Sequence, residues 1–194
     1  MKKRVVLAVL IVIAIGISVF AFVNPSLQSE PVLAKGAGVE VTVKRFKDAK
    51  QNLELAQRML AVEPEARTDE ELLDQILTDE LLYSYAKKKG VSIPEEELRQ
   101  FIDEQKAMLE DTDQVEMAAL MQERIRLTGM DEESFWQDKA TVDGYRYFIT
   151  IGKLTELLVK EDIIQGGKFA EFQKKLLQDN KSSIKVNWDA LEKS

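Results

Sequence analysis

The groups in this chain that could do chemistry are carboxylates and thioethers. Asp and Glu together number 34, and they bunch most tightly at Glu95-Glu96-Glu97 and Asp131-Glu132-Glu133. Paired carboxylates can move protons or hold a hard cation. Both triplets, however, open segments of helical periodicity, where acids complement the positive end of the helix dipole and stay solvated. Their spacing also lacks the glycine-containing ligand pattern of a calcium loop. None of the 194 residues is a histidine or a cysteine. The commonest general base, the commonest metal ligand and the thiol nucleophile are therefore missing together. No glycine-rich phosphate loop and no nucleophile elbow is present either. The expectation is a protein with no catalytic residues, no cofactor and no metal, which works by binding.

The thioethers are better placed for that. Met108, Met117, Met121 and Met130 fall in one segment, close to Phe135 and Trp136. Flexible, polarisable side chains suit a surface that must accept varied apolar sequences. The same periodicity also places them on faces that would simply be core. These six residues are the candidate peptide-binding set.

The elements that must position them are helices. Val43 to about Val62 carries Phe46, Ala49, Leu53, Ala56 and Leu60 at spacings of three and four, with Thr42 as cap and Glu63-Pro64 as stop. Thr68 to Glu71 reads as a capping box that opens a second helix ending at Gly90. Leu72, Leu73, Ile76, Leu77, Leu81, Leu82, Tyr83 and Ala86 cover most of its circumference, so it should be central. Pro94 fits the first turn of a third helix, and a fourth holds Met117 to Leu127. Asp131 caps a fifth whose apolar positions run from Trp136 through Ala140, Gly144 and Tyr147 to Leu158, unbroken if it extends from 132 to 163. A last helix, about Lys168–Asp179, presents Phe169, Phe172 and Leu176 on one face, which is expected to close on Phe46 and Leu53 of the first helix. Val39, Val41 and Val43 alternate with polar residues, as do Ile184, Val186 and Trp188. The fold class is all-α, with room for a small two-stranded β patch joining 39–43 to 184–188.

Ahead of this domain, taken as residues 39–194, lie two other segments. Lys2, Lys3 and Arg4 precede an apolar run from Val5 to Val23, which reads as a signal or signal-anchor helix over residues 1–23. The run is longer than a usual cleavable signal, which favours an uncleaved transmembrane anchor with a cytoplasmic N-terminus. Val19 and Ala21 allow cleavage after Ala21, which would release a secreted product. Residues 24–38, with two prolines, two serines and two glycines, read as a linker. Removing the three N-terminal cations from the net charge of −7 leaves −10 on the exported part, a poor partner for nucleic acid. Lys87-Lys88-Lys89 is the one basic run, and its place before Gly90 suits a helix C-terminus. Without disulfides, the domain must be stabilised by its core alone.

The stretch LLDQILTDELLYSYAKKKGVSIPEEELRQFI, Leu72–Ile102, resembles the N-terminal chaperone domain of the SurA and PrsA/trigger-factor-like extracytoplasmic folding factors. It shows a buried helix, an A-x-x-x-G stop and an acidic opening to the next helix. VEVTVKRFKDAKQNLELA, the GMDEESFWQDKA and YRYFITIGKL stretches, and FAEFQKKLLQDNKSSIKVN match more loosely. The likeness extends over nearly all of residues 39–188. Catalytic members of that family insert a parvulin prolyl isomerase, which uses histidines, between the long helix and the final one. Only Gln165-Gly166-Gly167 stands at that place here. The resemblance therefore implies the chaperone part without the isomerase, and no catalytic residue carries over.

The function expected is a membrane-associated, extracytoplasmic chaperone-like protein that binds unfolded or translocating polypeptides without catalysis. The alternative is a non-catalytic scaffold or adaptor docking one defined cell-envelope partner. Neither reading specifies the oligomeric state.

Overall fold

A computed structural model describes residues 30–60, 67–109, 115–165 and 167–192. The apolar segment read as a signal or anchor lies outside them. Among the described residues no helix is long and apolar enough to cross a membrane.

The chain order is β1 (Val32–Gly36), β2 (Val39–Thr42), α1 (Val43–Leu60), α2 (Asp69–Lys88), α3 (Glu95–Ala107), α4 (Val115–Thr128), α5 (Glu132–Gln137), α6 (Lys139–Lys160), α7 (Phe169–Lys181), β3 (Lys185–Val186) and α8 (Asp189–Glu192). The described residues are thus mostly helical, with one small antiparallel sheet, as the periodicities predict. They fall into two compact units. One takes in Gln51–Glu65 and Ile93–Phe148; the other takes in Val23–Lys50, Ala66–Ser92 and Ile149–Ser194.

In the second of these, the sheet order is β2-β1-β3. This corrects two expectations. Residues 32–36, assigned to the linker, form the middle strand, and 39–43 and 184–188 do not pair with each other but each with β1. The physical reason lies in the turn. Ala37 and Gly38 both take positive φ, 51° and 79°, the arrangement of a tight two-residue hairpin whose twist matches its strands. A register shift between Val32 and Ala34 then turns both Leu33 and Ala34 inward, so this strand shows no alternation. β2 keeps the alternation, with Val39 and Val41 buried and Glu40 exposed. The Asn187 N–H extends the β1–β3 pairing by donating to the Leu33 carbonyl at 2.7 Å. Trp188, read as strand, instead leads into α8 and sets its ring edge-on to Phe46 at 6.1 Å.

α2 begins at the capping box: the Glu71 N–H donates to Thr68 Oγ1 at 3.2 Å, and the Thr68 N–H donates to Glu71 Oε2 at 2.8 Å. Nine of its residues are buried, consistent with a helix apolar nearly all round. At its end Lys87 lies over the Tyr83 ring and Lys89 pairs with Glu161, so the lysine run serves the helix terminus. Arg45 is buried and stands 3.7 Å from Glu80. Burial raises the Glu80 carboxyl above its usual range, and the guanidinium only partly opposes this.

Leu82, Ala86, Leu154, Leu158 and Ile164 form a closed cluster, and Phe169, Phe172 and Leu176 of α7 pack against it together with Tyr85. The Phe172 ring meets Tyr85 edge-on at 5.4 Å. The last helix therefore closes on α2, not on the face of α1 expected from the sequence. Amphipathic spacing shows that a face needs a partner but not which one; Trp188 already covers Phe46.

Candidate functional site

The other unit holds the residues singled out for binding. The expected unbroken fifth helix is two helices. Asp138 takes an extended conformation, closing α5 with its N–H on the Phe135 carbonyl at 3.3 Å. Its carboxylate then accepts the Thr141 N–H at 3.0 Å and so caps α6. A short acid that bonds its own backbone competes with helix continuation, which the spacing of Trp136 and Ala140 concealed. Asp131 caps α5 as expected, accepting from the Ser134 N–H at 2.9 Å, and that bond holds its carboxyl below the usual range. Glu95, in the first turn of α3, is paired with Arg146 at 2.8 Å, which likewise lowers its pKa. Both acidic triplets thus sit at helix N-termini, the structural role their positions imply.

The break at Asp138 sets Phe135 and Trp136 against α6. Phe135 and Trp136 are both buried, their rings edge-on at 5.1 Å. Trp136 stacks on Tyr145 with centroids 6.0 Å apart and planes at 20°. Phe101 of α3 closes the group, 5.8 Å from Tyr145 and 5.8 Å from Phe148. The six candidate residues do not share one surface. Met121 is buried, Met108 is half-buried at the end of α3, and Met130 is exposed. Met117 falls on α4, and its side chain lies outside the described residues.

Sequence reasoning missed the two polar members of this cluster. The Arg124 guanidinium lies 5.3 Å from the Phe135 ring centroid and close to the Tyr145 hydroxyl. It makes no well-formed hydrogen bond there: Arg124 Nη1 and the Tyr145 hydroxyl are both enclosed without a partner, as is Trp136 Nε1. Among the described residues no carboxylate pairs with Arg124. Burial lowers its pKa and pushes the Tyr145 phenol up to about 12, each partly offset by the other. The available signal was spacing: Arg124 stands three residues after Met121 and one before Ile125, on the stripe reserved for apolar side chains.

Chemically this cluster is an apolar, aromatic recess that carries hydrogen-bond donors in excess of acceptors. It has neither nucleophile nor general base, and its fitting use is recognition.

A family model described as the SurA-like N-terminal domain matches residues 1–141. No curated protein and no solved structure matches the chain. The match includes α1 to α5 and reaches the capped start of α6, so it covers Phe101, Arg124, Phe135 and Trp136 but stops short of Tyr145 and Phe148. With most of its length accounted for in this way, the chain belongs to the SurA-like N-terminal domain family, a chaperone-type module.

Proposed function

We propose that this protein binds unfolded or translocated polypeptides at the extracytoplasmic face of a membrane, without prolyl-isomerase activity. Membership of the SurA-like N-terminal domain family is the observation that carries the reading. Residues 161–168 alone stand between α6 and α7, which supports the absence of an isomerase at the place where catalytic relatives insert one. The Val5–Val23 run, with Lys2, Lys3 and Arg4 before it, supports tethering by an N-terminal helix. Client contact is assigned to the unit that holds the methionines. Exposed Met130 and half-buried Met108 offer adaptable apolar surface, while Met121, Phe135 and Trp136 are buried.

Aggregation of several unrelated denatured clients, followed by light scattering, tests this. Suppression for most of them at stoichiometric protein supports a general chaperone. Protection of none, with retention of one envelope protein after crosslinking, replaces it with an adaptor.

A further inference from the structure

A buried arginine is stable only when its charge is answered, because desolvation without an acceptor costs several kcal/mol. In the aromatic recess the answer is incomplete. Arg124 receives the face of Phe135 and the neighbourhood of the Tyr145 hydroxyl, both far weaker than a carboxylate. Its Nη1 is enclosed and unpartnered, and the two nearest aromatic residues carry enclosed, unpartnered polar atoms of their own, Tyr145 Oη and Trp136 Nε1. Two of these three are donors only and the third is a neutral hydroxyl, so the group lacks a negative acceptor. Tyr145 is fully buried and Trp136 nearly so, whereas Arg124 keeps some exposure along its length. The route to the group therefore runs along Arg124.

We infer that Arg124, with the Tyr145 hydroxyl beside it, takes a carboxylate of the bound polypeptide, so that the apolar recess selects segments carrying an acidic group next to apolar side chains. The inference rests on the polypeptide-binding reading above. A carboxylate fits because its two oxygens match the fork of the guanidinium. The raised phenol keeps Tyr145 a donor throughout the physiological range, as this role requires. The protein's overall negative charge would repel acidic clients at long range. Selectivity must then come from this one enclosed cation at short range, where solvent does not screen it.

Two carboxylate sources exist on a polypeptide, the chain end and an Asp or Glu side chain, and three peptides of one apolar sequence separate them. The first has a free C-terminus and no acidic residue, the second is amidated, and the third is amidated with one internal Glu. The full chain in detergent micelles carries Trp188→Phe, which leaves Trp136 as the single fluorophore of the two tryptophans. Binding of a carboxylate-bearing peptide is expected to shift Trp136 emission and to be roughly tenfold tighter than that of the amidated peptide, the usual worth of a charge-assisted bond. Whichever of the first and third binds tighter identifies the source. Arg124→Gln should abolish the difference between the peptides, and Arg124→Lys should restore part of it. Equal affinity of all three peptides for the Arg124 protein overturns the inference and leaves polypeptide binding standing. Binding of none overturns both. The comparison among peptides needs no arginine variant, so a misfolded Arg124→Gln does not affect the decision.

Discussion

A β-carbon placed on Gly36 would stand 2.1 Å from the carbonyl oxygen of Ser183 and 2.7 Å from the Cα of Ile184. Both neighbours are backbone, so neither can swing aside, and this close approach is what lets β3 reach the middle strand. Gly36→Ala should separate β3 from β1 and destabilise the protein by about 1–3 kcal/mol. Thermal unfolding measures the loss, and faster amide exchange at Asn187, which donates to Leu33, locates it. An unchanged midpoint would refute the constraint.

The neighbouring turn carries a different kind of strain. Ala37 holds φ at 51°, a left-handed conformation in which its β-carbon crowds the backbone. Ala37→Gly should raise stability by about 0.5–1 kcal/mol, since relief of that crowding exceeds the extra entropy glycine loses on folding. The urea midpoint should rise with an unchanged slope.

Tyr145 makes stability depend on alkaline pH. Its phenol is pushed up to about 12 from an ordinary 10.0, so the folded state keeps a proton that the unfolded chain gives up. Stability from this group is complete below pH 10 and lost as pH rises towards 12, in total roughly 2–3 kcal/mol at 1.36 per unit. Tyr145→Phe removes the phenol and with it that part of the slope. Urea unfolding of both proteins between pH 9 and about 11.5 should show the native protein losing stability relative to Tyr145→Phe as pH rises. Parallel curves would contradict the assignment.

α7 should prove essential to its unit. Phe172→Ala removes a half-buried ring from Tyr85 and the Leu82–Leu158 cluster, for an expected cost of about 2 kcal/mol. Ending the chain after Gln165 removes Phe169, Phe172 and Leu176 together with β3, and should lower the thermal midpoint well beyond the single substitution. Equal midpoints for the truncated and intact chains would mean that α7 is an appendage.

Much of this was legible in the sequence where one local interaction decides the conformation. Thr68 with Glu71, Asp131 with Ser134, and Thr42 with the Arg45 N–H are caps set within four residues, and each is found. The apolar stripes located most helices for the same reason. What escaped depended on partners distant in the chain. β1 has no alternation because a bulge turns two successive residues inward, and Pro31, Gly36 and Gly38 in and around it resemble a linker. Asp138 interrupts a periodicity that otherwise continues across it. The partner of α7 was misassigned because Phe169 and Phe172 would suit any apolar face. Of the candidate binding residues, Phe135 and Trp136 do meet, while Arg124 and Tyr145 became visible only with their unanswered polar atoms.

The pairing of Ala34 with Val186 also bears on the order of folding. It closes a loop of about 150 residues, a slow step because the ends of a long chain must find each other before any contact rewards them. Residues 93–148, by contrast, bring Glu95 to Arg146 across only 51 residues. On a chain threaded outward from its N-terminus, the aromatic recess should therefore acquire its shape while β1 still waits for its second edge. The part of the molecule assigned to hold clients would mature first, and the sheet would complete only after residues 185–186 have emerged.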